Sequence, residues 1–289
     1  MRIYNNISAI KASSSLAKVN KAKTSNLEKL SSGLRINKAS DDAAGLAISE
    51  KMRGQLSGMK QAVRNASDGQ AALQTAEGAM NEINTIIQRM RELSVQSLNE
   101  TYNQDERDKI IVELKEINAE ISRIAGATKF NGKQILNGNN PNGQGGDFTL
   151  KLQVGANNDA SEQLDISIVN INTISKAIAD GITDVEDAKG VDTDVTDALG
   201  DFLDIVDDQL EEINKNRSIV GAQINRLEYT INNLNTSIEN LTDAESRIRD
   251  VDMAAEMLEF TRHNILAQTG AQMVATANKM PEGVLQLLQ

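Results

Sequence analysis

The sequence predicts a mainly α fold: a long antiparallel helical coiled-coil bundle carrying a small β-hairpin, with the N- and C-terminal helices paired. Three observations predict it. From Leu210 to Ile248 the residues Leu210, Ile213, Val220, Ile224, Leu227, Ile231, Leu234, Ile238, Leu241 and Ile248 follow in alternating steps of three and four, with Arg217 and Glu245 as the polar interruptions. A second seam runs Ile48, Met52, Gln55, Met59, Ala62, Ala66, Gly69, Leu73, Ala76, Met80, Ile83, Ile87 and Met90. Apolar stripes of that length can be buried only against another long helix, so each seam is read as the partner of the other. The first would measure roughly 58 Å at the α-helical rise, longer than a compact domain is wide. Finally, the chain of 289 residues has only seven aromatics, no Trp and two Pro, Pro141 and Pro281, which suits long thin helices and not a thick core.

Taken in order, the first forty residues carry a weaker amphipathic pattern through Ile3, Ile7, Ile10, Leu16, Val19, Leu27, Leu30 and Leu34. Gly33 reads as a helix end and Ser40-Asp41-Asp42 as the N-cap of the next helix, so residues 1–43 form one terminal segment. After the Ile48–Met90 seam, Asn99, Tyr102 and Asn103 mark a loop over 98–105. A shorter helix follows on Ile110, Leu114, Ile117, Ile121 and Ile124, with Gly126 as its cap. Turn residues from Asn137 to Gly143 introduce a central β element at about 131–172, in which Phe148, Leu150, Leu152 and Val154, then Leu164, Ile166 and Ile168, alternate as two strands. A helix is expected around Ser175–Asp180, and an Asp-rich surface loop at about 181–204. The bundle core is assigned to Ile83, Ile87, Ile117, Ile121, Leu227, Ile231, Leu234 and Ile238 within a coiled-coil domain of residues 44–249. Residues 250–289 are the second terminal segment, with Met253, Met257, Phe260, Ala267, Ala271 and Val274 on one face. That segment is apolar over too wide an arc for a helix wetted on one side, so it should bury against the first segment and against other copies.

Chemistry is narrowly bounded. Cys is absent, His263 is the single histidine, and no phosphate loop, zinc motif or nucleophile-base pair is present; no enzyme and no cofactor are expected. Asp192-Thr193-Asp194 places two carboxylates at alternate positions, but the glycine and closing glutamate of a calcium loop are missing, and a solvated surface is the plainer reading. Net charge is −11, yet residues 1–65 hold twelve Lys/Arg against four Asp/Glu. A basic arm can bind nucleic acid or an acidic membrane. Here Asp243, Glu245, Asp250, Asp252, Glu256 and Glu259 offer a partner within the chain or in a neighbouring copy, so neither nucleic acid nor membrane insertion is expected. No signal-peptide core is seen at the amino terminus.

At Leu30-Ser31-Ser32-Gly33-Leu34-Arg35-Ile36-Asn37-Lys38-Ala39-Ser40-Asp41-Asp42-Ala43-Ala44-Gly45-Leu46-Ala47-Ile48 the chain closely resembles the amino-terminal hallmark of bacterial flagellins. The resemblance continues through Gln70–Met80, Gln88–Leu93 and Lys129-Phe130-Asn131-Gly132. It resumes at Asn225–Glu228, Ser246–Asp252 and the Pro281–Leu288 tail. It implies a filament subunit in a short form with little or no outer domain, exported unfolded by the flagellar type III pathway to the extracellular flagellum, where it serves motility. Implied partners are other copies of the chain in a helical homopolymer, the flagellar cap, the junction proteins, an export chaperone and, in animal hosts, the Toll-like innate receptor for flagellin. The terminal segments would form the inner tube, with Ile3, Ile7, Ile10, Leu34, Met257, Phe260, Leu285 and Leu288 at the polymerisation interface. Carried over residue by residue, receptor recognition and subunit contact fall on Gln88, Arg89, Leu93 and Glu113. Read without the resemblance, Arg89 and Glu113 are a solvated ion pair between neighbouring helices. A flagellin-like junction protein shares the terminal helices but matches Leu30–Ile48 less closely. A coiled-coil adaptor is the alternative from another class.

Overall fold

A computed structural model describes residues 6–138, 146–188 and 192–286, with the side chains of 192–194 and 281–286 excepted. Ile3 and Leu288 lie outside the described residues, as do the Asn139–Gly143 part of the expected turn and the side chains of Leu285, Asp192, Thr193 and Asp194. The elements in order are α1 (Ile7–Ser32), α2 (Ala43–Ser97), α3 (Gln104–Ala127), β1 (Lys129–Phe130), β2 (Lys133–Gln134), β3 (Phe148–Gln153), β4 (Gln163–Ile168), α4 (Ile171–Asp187), α5 (Asp192–Arg249) and α6 (Met253–Gln286). Two compact units result. One is Met1–Leu56 with Glu239–Gln289, the other Ser57–Ile238. The joints expected at 43 and 249 coincide with helix ends, whereas the units divide inside α2 and α5.

The second unit is the bundle. Seam residues Ala66, Leu73, Ala76, Met80, Ile83, Ile87 and Met90 of α2 are buried in one cluster with Ile213, Val220 and Leu227 of α5, Ile110, Leu114 and Ile121 of α3, and Ile171, Ile174, Ile178 and Ile182 of α4. Polar ties also cross between the helices. Asn84 Nδ2 donates to Asn214 Oδ1 at 2.6 Å, and Arg91 holds Asp207 at 2.5 Å. Between α3 and α4, Ser175 Oγ donates to buried Asn118 Oδ1 at 3.0 Å and lies 2.7 Å from Ser122 Oγ. A satisfied polar cluster of this kind pins one helix register. Of the eight residues assigned to the core, Ile83, Ile87, Ile121 and Leu227 are buried, while Ile117, Ile231, Leu234 and Ile238 are half-buried.

The Asp-rich segment is a correction: over its described residues it is mostly helix and not a surface loop. α4 runs to Asp187 and α5 begins at Asp192. Val195, Leu199, Phe202 and Val206 recur at steps of four, three and four and are all buried, while Asp197, Asp201, Asp204 and Asp208 face water at the same spacing. The composition reads as solvated loop; the period reads as amphipathic helix, and burial of the stripe decides. α3 is corrected too. It starts at Gln104, where the Glu106 carboxylate accepts the Asn103 N–H at 3.1 Å, and runs through Gly126 to close on the Thr128 N–H to Ile124 O bond at 2.9 Å. The helix expected at 175–180 is longer, because Ile171, Ile174, Ile178, Ile182 and Val185 supply a full apolar face.

The hairpin stands as expected. β3 and β4 pair antiparallel from Phe148↔Ile168 to Gln153↔Gln163, with Phe148, Leu152, Leu164, Ile166 and Ile168 turned into the core. It seats on the small-residue stretch of α2: Asn65 Nδ2 donates to Gln153 O at 3.0 Å, and a Cβ on Gly69 would stand 2.1 Å from Leu152 Cδ1. The small residues of that seam thus admit a strand side chain, as well as facing a helix. A second two-strand ribbon, β1–β2, was not expected. Its signal is Asn131-Gly132, with φ of 48° and 78°, the pair of left-handed residues that a tight hairpin turn demands.

Candidate assembly and recognition surfaces

The first unit joins the two ends of the chain. Asn6 caps α1 by accepting the Ala9 N–H at 3.1 Å and reaches α6 by donating to Ala277 O at 2.8 Å. Farther along, Lys23 Nζ donates to Asn264 Oδ1 at 2.9 Å and stands 6.0 Å from the Phe260 ring centre, while Lys29 lies 3.9 Å from Glu256. As contacts climb α1 they descend α6, so the pair is antiparallel. Contact is close because α6 presents small residues: a Cβ on Gly270 would come 3.1 Å from Leu16 Cδ1.

What the pair covers is less than what it leaves in water. Phe260, Ala267 and Val274 are half-buried against α1, and Ala277 is buried. Ile7, Ile10 and Leu27 of α1 remain exposed, as do Met253, Met257, Leu258, Ile265, Leu266, Met273 and Met280 of α6. Met253, Met257, Phe260, Ala267, Ala271 and Val274 were expected to share one face; within the chain Phe260, Ala267 and Val274 lie against α1, whereas Met253, Met257 and Ala271 are exposed. His263 is half-buried, with Nε2 3.6 Å from Glu259, and has no second imidazole or thiol beside it.

Beyond α1 the chain makes a clamp. Gly33 ends the helix at φ 72°, a conformation glycine adopts without strain, and Leu34 then bridges to Asp250. The Arg35 N–H donates to Arg249 O at 2.6 Å, Arg35 Nη2 to Ile248 O at 2.5 Å, and the Val251 N–H to Gly33 O at 3.1 Å. Two of the bare carbonyls at the end of α5 are thereby satisfied from the other end of the chain. Arg249 in turn holds Glu50 of α2 at 2.7 Å, and Ile36, in the chain between the two helices, is buried. Asp41 accepts the N–H groups of Lys38 and Asn37 at 2.9 and 3.2 Å, and Asp42 caps α2 through Gly45 N at 2.9 Å.

Two carboxylates of the clamp are held below their ordinary pKa, Glu50 chiefly by the Arg249 hydrogen bond and Asp41 by its two backbone donors. A depressed folded-state pKa contributes stability that is present above the unfolded value and is lost as pH falls through the folded one. The clamp should hold at neutral pH and loosen below about pH 4. Protection factors at the Arg35 and Val251 amides, taken relative to the slower intrinsic exchange in acid, should fall over that window, and unchanged protection on acidification would show that these carboxylates do not brace the joint.

On the second unit, Arg89 bridges α2 to α3: Nη1 lies 3.0 Å from Glu92 and Nη2 3.4 Å from Glu113. Glu92 foremost, with Glu113, raises the guanidinium pKa. Gln88 is exposed and oriented by Asn84, whose Oδ1 accepts its Nε2 at 2.9 Å. Leu93 is buried, supporting this surface from beneath and not lying on it. Sequence reading passed over two exposed apolar residues on the same helices, Val95 and Val112. Among the described residues there is no cluster of three metal-ligating side chains, and no helix long and apolar enough to cross a membrane.

This arrangement, an antiparallel pair of terminal helices with a helical bundle between them in sequence, is shared with known proteins. The family model for the bacterial flagellin N-terminal helical region matches residues 3–141, and that for the C-terminal helical region matches residues 203–288. The chain belongs to the bacterial flagellin family. It is 48% identical to a flagellin of Halalkalibacterium halodurans over 91% of this chain and 90% of that one. Identity to a flagellin of Bacillus subtilis is 46%, and to the flagellar filament 33 kDa core protein of Treponema phagedenis 43%, each over the full length of both chains. Among solved structures, a putative flagellar hook-associated protein from Vibrio parahaemolyticus shares the fold, with a TM-score of 0.61 at 15% identity over 73% of this chain and 100% of that one. As a flagellin the chain is a structural component of the flagellar filament and not an enzyme. The longest flagellin-like stretch, Leu30–Ile48, and its distant counterpart Ser246–Asp252 are the two halves of the clamp. Arg35, Glu50 and Arg249 escaped notice as a group because they are far apart in sequence, although two of them stand inside those stretches.

Proposed function

We propose that the chain polymerises with copies of itself into an extracellular helical filament that drives motility, and that the exposed faces of α1 and α6 are the contacts between copies. The observation that carries this is the apolar surface of the terminal pair: Ile10, Leu258, Ile265, Met273 and Met280 stand mostly in water, a burden that a soluble pair of helices relieves only by meeting further helices. Ile7 and Met257 belong to the same surface. Contacts between unlike faces that do not close into a ring build a filament. Purified chain added to sonicated filament seeds should elongate them. Leu258→Lys should abolish elongation while leaving the helical content of the soluble chain unchanged, since Leu258 is 74% exposed; filaments of normal length from that variant would remove this face from the assembly.

Finer parts of the reading rest on family resemblance. Export would proceed through the flagellar type III route with a chaperone, and growth would require the junction proteins and the cap. The surface bearing Gln88, Arg89 and Glu113 would serve both subunit contact and the Toll-like receptor. What supports it is that Arg89 and Glu113 are exposed and pre-arranged across two helices. Soluble chain should activate receptor-bearing cells, and Arg89→Ala should weaken activation about tenfold or more, as loss of a central arginine does at many interfaces. A chain that is silent on cells responding to another agonist would exclude the receptor role.

A further inference from the structure

Sulfur in this chain is confined to thioethers. Cysteine is absent, so the nine methionines are the side chains that a mild oxidant attacks first. Their surroundings differ. Met80 and Met90 are sealed in the bundle core at 0% exposure, and Met52 and Met59 are half-buried; Met1 lies outside the described residues. Met253, Met257, Met273 and Met280 are 48%, 50%, 61% and 64% exposed, and all four are on α6. Thioether oxidation follows access to solvent, which puts these four first among the described methionines. They stand outside the seam with α1, whose α6 side runs through Phe260, Ala267, Val274 and Ala277. Leu258, Ile265 and Leu266 share the uncovered apolar surface but are inert to such oxidants. The surface that the terminal pair leaves bare thus carries four side chains that an oxidant converts from apolar to polar.

We propose that Met253, Met257, Met273 and Met280 form a modification site for oxidants of the peroxide class, and that sulfoxide formation there blocks the assembly face of the soluble chain. The thioether sulfur donates its lone pair to one peroxide oxygen. The S–O bond forms as the O–O bond breaks, and the departing hydroxide takes the proton of the transferred hydroxyl and leaves as water. Sulfur is oxidised and the peroxide reduced, with no further reactant. The product is a polar acceptor where an apolar chain stood. Carried into an apolar contact without a donor, that oxygen opposes burial. On the soluble chain it stays in water and disturbs the α1–α6 pair little, because the pair packs through other residues. The effect on assembly rests on the polymerisation proposed above; the selectivity of the oxidation does not.

Full-length soluble chain treated with dilute hydrogen peroxide, digested and mapped by mass spectrometry should carry sulfoxide at these four positions well before Met80 and Met90. Elongation of sonicated seeds by the oxidised chain should fall about tenfold or more, the effect of burying one polar group unpaired. Its circular dichroism should be unchanged. The methionine sulfoxide reductases for both epimers, added together, should restore elongation. A chain carrying Met253→Leu, Met257→Leu, Met273→Leu and Met280→Leu, a volume-conserving change, should elongate seeds equally before and after peroxide. Oxidation spread evenly over α6 and core methionines overturns the site. So does full elongation by chain oxidised at all four positions, a loss of helical content on oxidation, or a leucine variant as sensitive to peroxide as its parent. Where the leucine variant fails to elongate untreated, the reductases decide: recovery of the oxidised parent supports the proposal and no recovery overturns it. Selective oxidation of a parent that never elongates seeds would instead overturn the polymerisation reading and leave the modification site standing.

Discussion

Phe202→Ala should destabilise the bundle unit by about 3–5 kcal/mol, the range for emptying a fully enclosed aromatic site. Phe202 is 1% exposed, and it lies at the centre of the stripe Val195, Leu199, Phe202 and Val206 that converts an Asp-rich stretch into the opening turns of α5. A Cβ on Gly181 of α4 would come 3.0 Å from the Phe202 ring, so α4 is packed directly over it and cannot collapse far into the space left behind. Urea unfolding followed by circular dichroism would register the loss as a lower midpoint at similar slope. A change within about 0.5 kcal/mol, the range for exposed positions, would return this stretch to the surface loop that its composition suggests.

Leu227→Asp should cost more than Ile231→Asp, one turn farther along the same seam. Leu227 is 0% exposed, so a carboxylate there must either lose its water or open the helix pair. A loss of about 4 kcal/mol or more is expected, with filament growth abolished. Ile231 is half-buried at the edge of the core cluster, where a short rotation brings a carboxylate to solvent, and a loss of about 1–3 kcal/mol is expected. Equal losses at the two positions would mean that the core extends farther along α5 than its burial indicates, and a motile strain carrying Leu227→Asp would refute the packing of the seam.

Much of this was legible in the residues. The α2 and α5 seams, the αL glycine at Gly33, the cap at Asp42 and the β3–β4 strands follow from short-range rules, since period, capping and turn chemistry act within one or two turns of chain. Other features failed locally for identifiable reasons. The first turns of α5 carry their apolar stripe among aspartates, and composition outweighed period. The Asn103–Glu106 start of α3 was hidden in a stretch read as loop. The clamp of Arg35 on Ile248 and Arg249 joins residues more than two hundred positions apart, and no pattern within either segment names the other.

Residue patterns alone specify a set of long helices with apolar faces, offer no motif for catalysis or metal binding, and resemble the flagellin family at both ends of the chain. Which of those faces are covered depends on packing between distant segments. Met257 and Phe260 follow one another in the same run, yet one stands in water and the other lies against α1; Leu227 and Ile231 share one seam, yet the core closes over the first and thins at the second. Periodicity specifies the stripe a helix offers, whereas burial depends on what the rest of the chain places across from it. That is a property of the packed whole, and it is what leaves the outer apolar faces of α1 and α6 uncovered within the chain.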